Sequence, residues 1–115
     1  MAEFKSKPNV VVIIVDEDCQ LVDVVPDPVH VQRGSGMFTW KIVKKGGGEP
    51  CKVTICFKDK SLVPFDDAKW QDGCESGTDV ITGNIKNIAH LIGELGFPYS
   101  IEVGGQVWDP VFILH

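Results

Sequence analysis

Phe38-Thr39-Trp40-Lys41-Ile42-Val43, then Gly46-Gly47-Gly48, then Lys52-Val53-Thr54-Ile55-Cys56-Phe57 is the stretch that decides the fold. In the first arm Phe38, Trp40 and Ile42 alternate with Thr39, Lys41 and Val43; in the second Val53, Ile55 and Phe57 alternate with Lys52, Thr54 and Cys56. Side chains in a strand point to opposite faces with period two, so each arm offers one aromatic, aliphatic face and one more polar face. Three consecutive glycines permit any hairpin geometry. The reading is one antiparallel hairpin, 38–43 with 52–57, aromatic on its inward side.

Outward from this pair the chain keeps the same grammar. Val10 to Val15 is a continuous apolar, largely β-branched run, bounded by Pro8-Asn9 and by Asp16-Glu17-Asp18, and reads as a strand buried on both faces. Cys19 to Val25 is extended and stops at Pro26-Asp27-Pro28; Val29 and Val31 alternate with His30 and Gln32 before Arg33-Gly34-Ser35-Gly36. Residues 59–79 are loop-like, with Phe65 and Trp70 as apolar anchors. Val80 to Ile85 reads as a short strand broken at Gly83; alternatively, and favoured, Asn84 caps a short helix near 85–95 whose Ile85, Ile88, Ile92 and Leu95 fall on one face, with Gly96 as its stop. Tyr99, Ile101 and Val103 alternate with Ser100 and Glu102; Gly104-Gly105 turns the chain into Val111-Phe112-Ile113-Leu114, a closing strand apolar on both sides. Many short strands with turns between them predict a mainly β, antiparallel Greek-key sandwich. A single domain over 1–115 is expected, with 1–8 as a flexible N-terminal arm.

Charge and composition exclude several function classes. The net charge is −5 and the densest basic cluster is Lys41, Lys44 and Lys45 beside the glycine run, so no nucleic acid is expected as a partner. The apolar run at 10–15 is too short for a secretory core, which needs roughly 7–15 apolar residues, or for a membrane span of about 20. No membrane partner and a cytoplasmic location are therefore expected. On that basis the four cysteines, Cys19, Cys51, Cys56 and Cys74, read as free thiols, with a bridge from Cys74 to Cys51 or Cys56 as the alternative.

Pro28-Val29-His30-Val31-Gln32-Arg33-Gly34-Ser35-Gly36-Met37-Phe38-Thr39-Trp40 resembles the cupredoxins, copper proteins with a Pro-x-(Ile/Val)-x-Val strand, a glycine turn and an apolar-x-Trp strand. Tyr99-Ser100-Ile101-Glu102-Val103, Gly104-Gly105 and Val111-Phe112-Ile113 are similar to the last hairpin of that family, and the likeness spans about half the chain as a β-sandwich pattern shared with immunoglobulin-like folds. The stretch from Gly34 to Trp40 is one residue longer than the family spacing, which implies a bulge or a shifted register. The family holds copper with two histidines, a cysteine and usually an axial methionine. Residues 41–57 contain no histidine, Val103 stands where the cysteine belongs, and the following loop reads Gly104-Gly105-Gln106-Val107-Trp108-Asp109. The resemblance thus implies a scaffold without its copper site and no cofactor.

Other constellations read as structural. Cys51 and Cys56 are spaced Cys-x4-Cys but point to opposite faces of one strand, so they do not converge on zinc. His30, His90 and His115 are far apart in sequence and lack ligand spacing. Asp16, Glu17, Asp18, Asp66, Asp67 and Asp72 lie in loops and read as solubilising acids rather than a calcium loop. The glycine runs lack the Gly-Lys-Ser/Thr ending of a phosphate loop. Trp70, Trp108 and Asp109 stand near loops and are the candidate partner-binding residues, weighed against the reading that each tryptophan plugs an end of the sandwich. The leading expectation is therefore a non-catalytic binding or assembly module that engages another protein or a second copy of itself. The alternatives are a metal-binding or redox protein using Cys51, Cys56, Cys74 and a histidine, and, more remotely, a hydrolase around Asp66, Asp72 and His90.

Overall fold

A computed structural model describes residues 9–87 and 93–115. Ten strands occur in it: β1 (Val10–Val15), β2 (Leu21–Val25), β3 (Val29–Val31), β4 (Met37–Lys44), β5 (Val53–Phe57), β6 (Cys74–Gly77), β7 (Val80–Asn84), β8 (Leu95–Val103), β9 (Gln106–Trp108) and β10 (Val111–Leu114). They form two sheets, β2-β1-β4-β7 and β3-β10-β8-β5-β6, with β9 joined to the far half of β8. The sheets are mixed, since β1 runs parallel to β4 and β3 parallel to β10. The wholly antiparallel expectation is therefore corrected: the chain leaves β2, antiparallel to β1 in one sheet, for β3 in the other through Pro26-Asp27-Pro28, where β3 lies parallel to β10.

The predicted hairpin is also corrected. β4 and β5 form as expected, but they sit in different sheets and never pair. Their aromatic faces meet across the sandwich instead of side by side, with Trp40 and Phe57 ring centroids 6.3 Å apart. Period two assigned the inward faces correctly; it could not say whether two such faces are neighbours or opponents. Both faces end in one core, where Phe38, Trp40, Phe57, Phe65, Trp70, Phe97, Tyr99 and Phe112 are each 3% exposed or less.

The helix expected near 85–95 is not formed at either end: Ile85 bridges Phe65 and Leu95 opens β8. Residues 88–92, His90 among them, lie outside the described residues, as does the 1–8 arm. The register explains the loss, because Leu95 pairs with Leu114 and Phe97 with Phe112, so the apolar residues after Gly93 serve a sheet of period two. Loop 58–73 contains one short 3-10 turn, Ala68–Trp70, and returns into β6. In the turn ahead of β4, Gly34 and Gly36 have φ of 65° and 105°. No helix among the described residues is long and apolar enough to cross a membrane.

Candidate functional site

One end of the sandwich is closed covalently. Asp16 Oδ1 accepts the N–H groups of Asp18 and Gln20, both at 2.9 Å, and this Asx-type turn holds Cys19 at φ 59°. From there Cys19 bridges to Cys51 in the β4–β5 loop, with Cα atoms 5.6 Å apart. Gln106 Oε1 accepts the Leu21 N–H, and Gly104 packs so close to the Cys19 carbonyl that a Cβ there would overlap it. Val103 is 3% exposed and belongs to the core. A disulfide and apolar packing thus close this end of the sandwich.

All four cysteines are paired, which corrects their reading as free thiols. The second bridge joins Cys56 to Cys74, residues directly opposite each other on β5 and β6. Strand register, not the compartment expected for the chain, sets Cys56 opposite Cys74. Bonded sulfurs are poor metal ligands and do not titrate, so the sulfur donor set of Cys51, Cys56 and Cys74 with a histidine is not present in this state.

Of the tryptophan candidates, Trp70 lies inside. It is 2% exposed, its ring sits 5.1 Å from Phe65 and 5.7 Å from Phe57, and its indole N–H donates to the Thr82 carbonyl at 2.9 Å. It ties loop 58–73 to the body, as an end plug would. Trp108 is half-buried on β9 and packs against the core, and Asp109 is exposed and ion-paired with Lys58 at 2.6 Å. Trp70 therefore does not share a surface with Trp108 and Asp109. Asp66 and Asp67 are structural too: Asp67 Oδ1 accepts the Asn84 N–H at 2.6 Å and Asp66 Oδ1 the Asn84 side-chain amide at 3.1 Å. A groove of about 470 Å³ beside them is lined by Lys60, Asp66, Asp67, Gln71, Lys86 and the edge of Trp70, among others.

Two features were missed in the sequence. The first is the outer face of the β2-β1-β4-β7 sheet. Val11, Ile13 and Val15 of β1 are fully buried, but Val10, Val12 and Ile14 face outward and are only half covered, which corrects the reading of β1 as buried on both faces. Register extends the patch sideways: Val12 lies beside Val25, and Ile14 beside Val43. Val25, Val43 and Val80 are 47%, 40% and 46% exposed. Asp23 and Lys41 are the charged residues interleaved with them. The signal was present, a six-residue apolar run on a strand with one covered face, but it was assigned to a second covering layer that the fold does not supply.

The second is a histidine pair. His30 Nδ1 and His115 Nε2 are 2.8 Å apart, with rings stacked at 5.0 Å, because the parallel pairing of β3 and β10 sets His30 beside Ile113 and brings residues 85 positions apart to one sheet edge. His30 and His115 are thus neighbours, contrary to the expectation of isolated histidines.

No protein-family model, curated protein or solved structure matches the chain.

Proposed function

We propose that this chain is a non-catalytic assembly module on a copper-free, cupredoxin-like sandwich, and that the outer face of its first sheet packs against the same face of a second copy. The observation that carries the reading is the outward row Val10, Val12 and Ile14, apolar side chains on an interior strand with no layer over them. An exposed contiguous apolar surface rimmed by polar residues marks an interaction site more often than solitary surface hydrophobes do. Charge permits self-pairing at this place: the chain carries −5 overall, so two copies repel, but around this face Asp23 and Asp79 are offset by Lys41, which pairs with Asp79 at 2.7 Å, and Lys69, which donates to Thr82 at 2.8 Å.

Size sets the strength. Four strands about 4.8 Å apart and some six residues long present roughly 400 Å² in projection, about half of what each partner contributes to a standard interface. Weak association is therefore expected. The resemblance is supported by the joining of its two sequence segments, since Val29–Val31 of the first pairs directly with Phe112–Leu114 at the end of the second. Two disulfides favour an oxidising compartment over the cytoplasm expected from the chain's start.

Sedimentation equilibrium of the untagged protein over a range up to high micromolar concentration tests the reading. Dimerisation that disappears in Ile14→Lys and Val12→Lys, with the circular dichroism spectrum unchanged, is the expected result. A wild-type chain that stays monomeric throughout, or variants that dimerise as well as wild type, would refute it.

A further inference from the structure

We infer that His30 and His115 form a two-imidazole site for a divalent transition-metal ion of tetragonal preference, Cu(II) before Ni(II) and Zn(II). This site is independent of the proposed assembly face and lies at the opposite end of the sandwich from the Cys19–Cys51 bridge. Leu114 pairs with Leu95 at the start of β8, whereas Gly104, next to Cys19, follows its end. Nine strand residues at about 3.3 Å each separate the two ends by roughly 27 Å.

Three observations carry the inference. The first is convergence of donor atoms. A metal–imidazole bond is about 2.0–2.1 Å, so two donors at a right angle lie roughly 2.9 Å apart and two at the tetrahedral angle roughly 3.3 Å apart. The 2.8 Å between His30 Nδ1 and His115 Nε2 is the length of the hydrogen bond that joins them without metal, and the smallest opening, of about 0.1 Å, brings them to adjacent positions of a square-planar or tetragonal ion.

The second is backbone rigidity. His30 is the middle residue of β3, between buried Val29 and Val31. His115 donates its N–H to the Val31 carbonyl at 2.8 Å, and its own carbonyl accepts from the Arg33 backbone N–H at 2.9 Å and from Arg33 Nε at 3.2 Å. Both rings therefore project from hydrogen-bonded backbone, and little ordering accompanies metal entry.

The third is access. His30 is exposed and His115 half-exposed, so water can complete the coordination shell. Among the described residues no group of three or more His, Cys, Asp or Glu side chains is placed to hold an ion, so the described residues supply two protein ligands.

Without metal, one ring donates an N–H to the other ring's bare nitrogen. On binding, the donating ring shifts its proton to its second nitrogen, and both facing lone pairs go to the metal. No proton need be released and no electron is transferred.

Isothermal titration of the untagged full chain with copper, nickel and zinc chlorides tests this, with electron paramagnetic resonance of the copper complex as a second readout. One equivalent of Cu(II) with two-nitrogen hyperfine structure is expected, and Ni(II) at least as tight as Zn(II). Loss of even an outer partner of a ligating histidine costs about 10–100-fold in affinity, so His30→Gln and His115→Gln should each weaken copper by at least about tenfold. Unchanged circular dichroism would show that neither substitution acts through the fold. Copper binding that survives the double substitution at full strength, or Zn(II) preferred over both Cu(II) and Ni(II), would overturn the assignment.

Discussion

The two ends of this sandwich are closed by different physics. At one end, the β1–β2 turn is joined to the β4–β5 loop through Cys19–Cys51. Toward the other, loop 58–73 is seated by two buried rings, Phe65 and Trp70, and its stems are stapled by Cys56–Cys74. A cross-link acts mainly by restricting the unfolded chain, whereas a ring in a close-packed core acts through contacts in the folded one. Reductant should therefore loosen both ends, whereas truncation of a ring should act at the packed end alone.

The largest expected effect is at the packed end. Trp70 is enclosed by Trp40, Phe57 and Phe65, and Gly83 approaches the Phe65 ring so closely that a Cβ would overlap it. With no slack for collapse, Trp70→Ala should cost about 3–5 kcal/mol, plus an orphaned carbonyl at Thr82. The half-buried Trp108 should lose only about 1 kcal/mol when cut to alanine, by the smaller area it covers. Urea denaturation of both variants measures the difference. Equal losses would mean that Trp70 is not the plug of its end.

Next in size is the covalent end. A separation of 32 residues between Cys19 and Cys51 implies about 3–4 kcal/mol from chain entropy, and 18 residues between Cys56 and Cys74 about 3 kcal/mol. Cys19→Ala with Cys51→Ala should lower the denaturation midpoint accordingly, and adding reductant should lower it again by the second bridge. If reductant leaves the wild-type midpoint where it was, the bridges contribute nothing and the contrast between the ends collapses.

What could be read in the sequence follows the same division. Inward faces were legible at Phe38, Trp40, Val53, Ile55, Tyr99 and Ile101, because alternation is a local property of each strand. Strand partners were not, because β4 facing β5 across the core and β4 paired beside β5 have the same local pattern. Cys56 opposite Cys74 and His30 beside His115 depend on register between segments distant in sequence, so nothing near either residue announces them. The outer face was misread for a related reason: alternation at Val10, Val12 and Ile14 tells how apolar a face is, never what covers it. The helix near 85–95 failed where apolar residues at 92 and 95 matched a helical period while the chain from Leu95 onward was committed to pairing with β10.

The smallest effect sits between the two ends, at Tyr99, the only tyrosine in the chain. Its hydroxyl accepts the Trp40 indole N–H at 3.2 Å, and burial pushes its ionisation well above the ordinary value of 10.0; the Trp40 bond opposes that shift and the charge of Asp27 adds to it. An acid whose folded value is raised holds its proton more tightly when folded. Its contribution is thus complete below about pH 10 and declines as pH climbs from there toward the folded value. Tyrosinate absorbance should accordingly appear together with loss of the folded circular dichroism signal, and not before it. Tyr99→Phe removes the acceptor and leaves a buried indole N–H unpaired, at a cost of about 1–3 kcal/mol at neutral pH, while flattening the alkaline decline. A tyrosine that ionises reversibly near pH 10 with the fold intact would place its hydroxyl in contact with solvent, and the core linking the two ends would then be open at its centre.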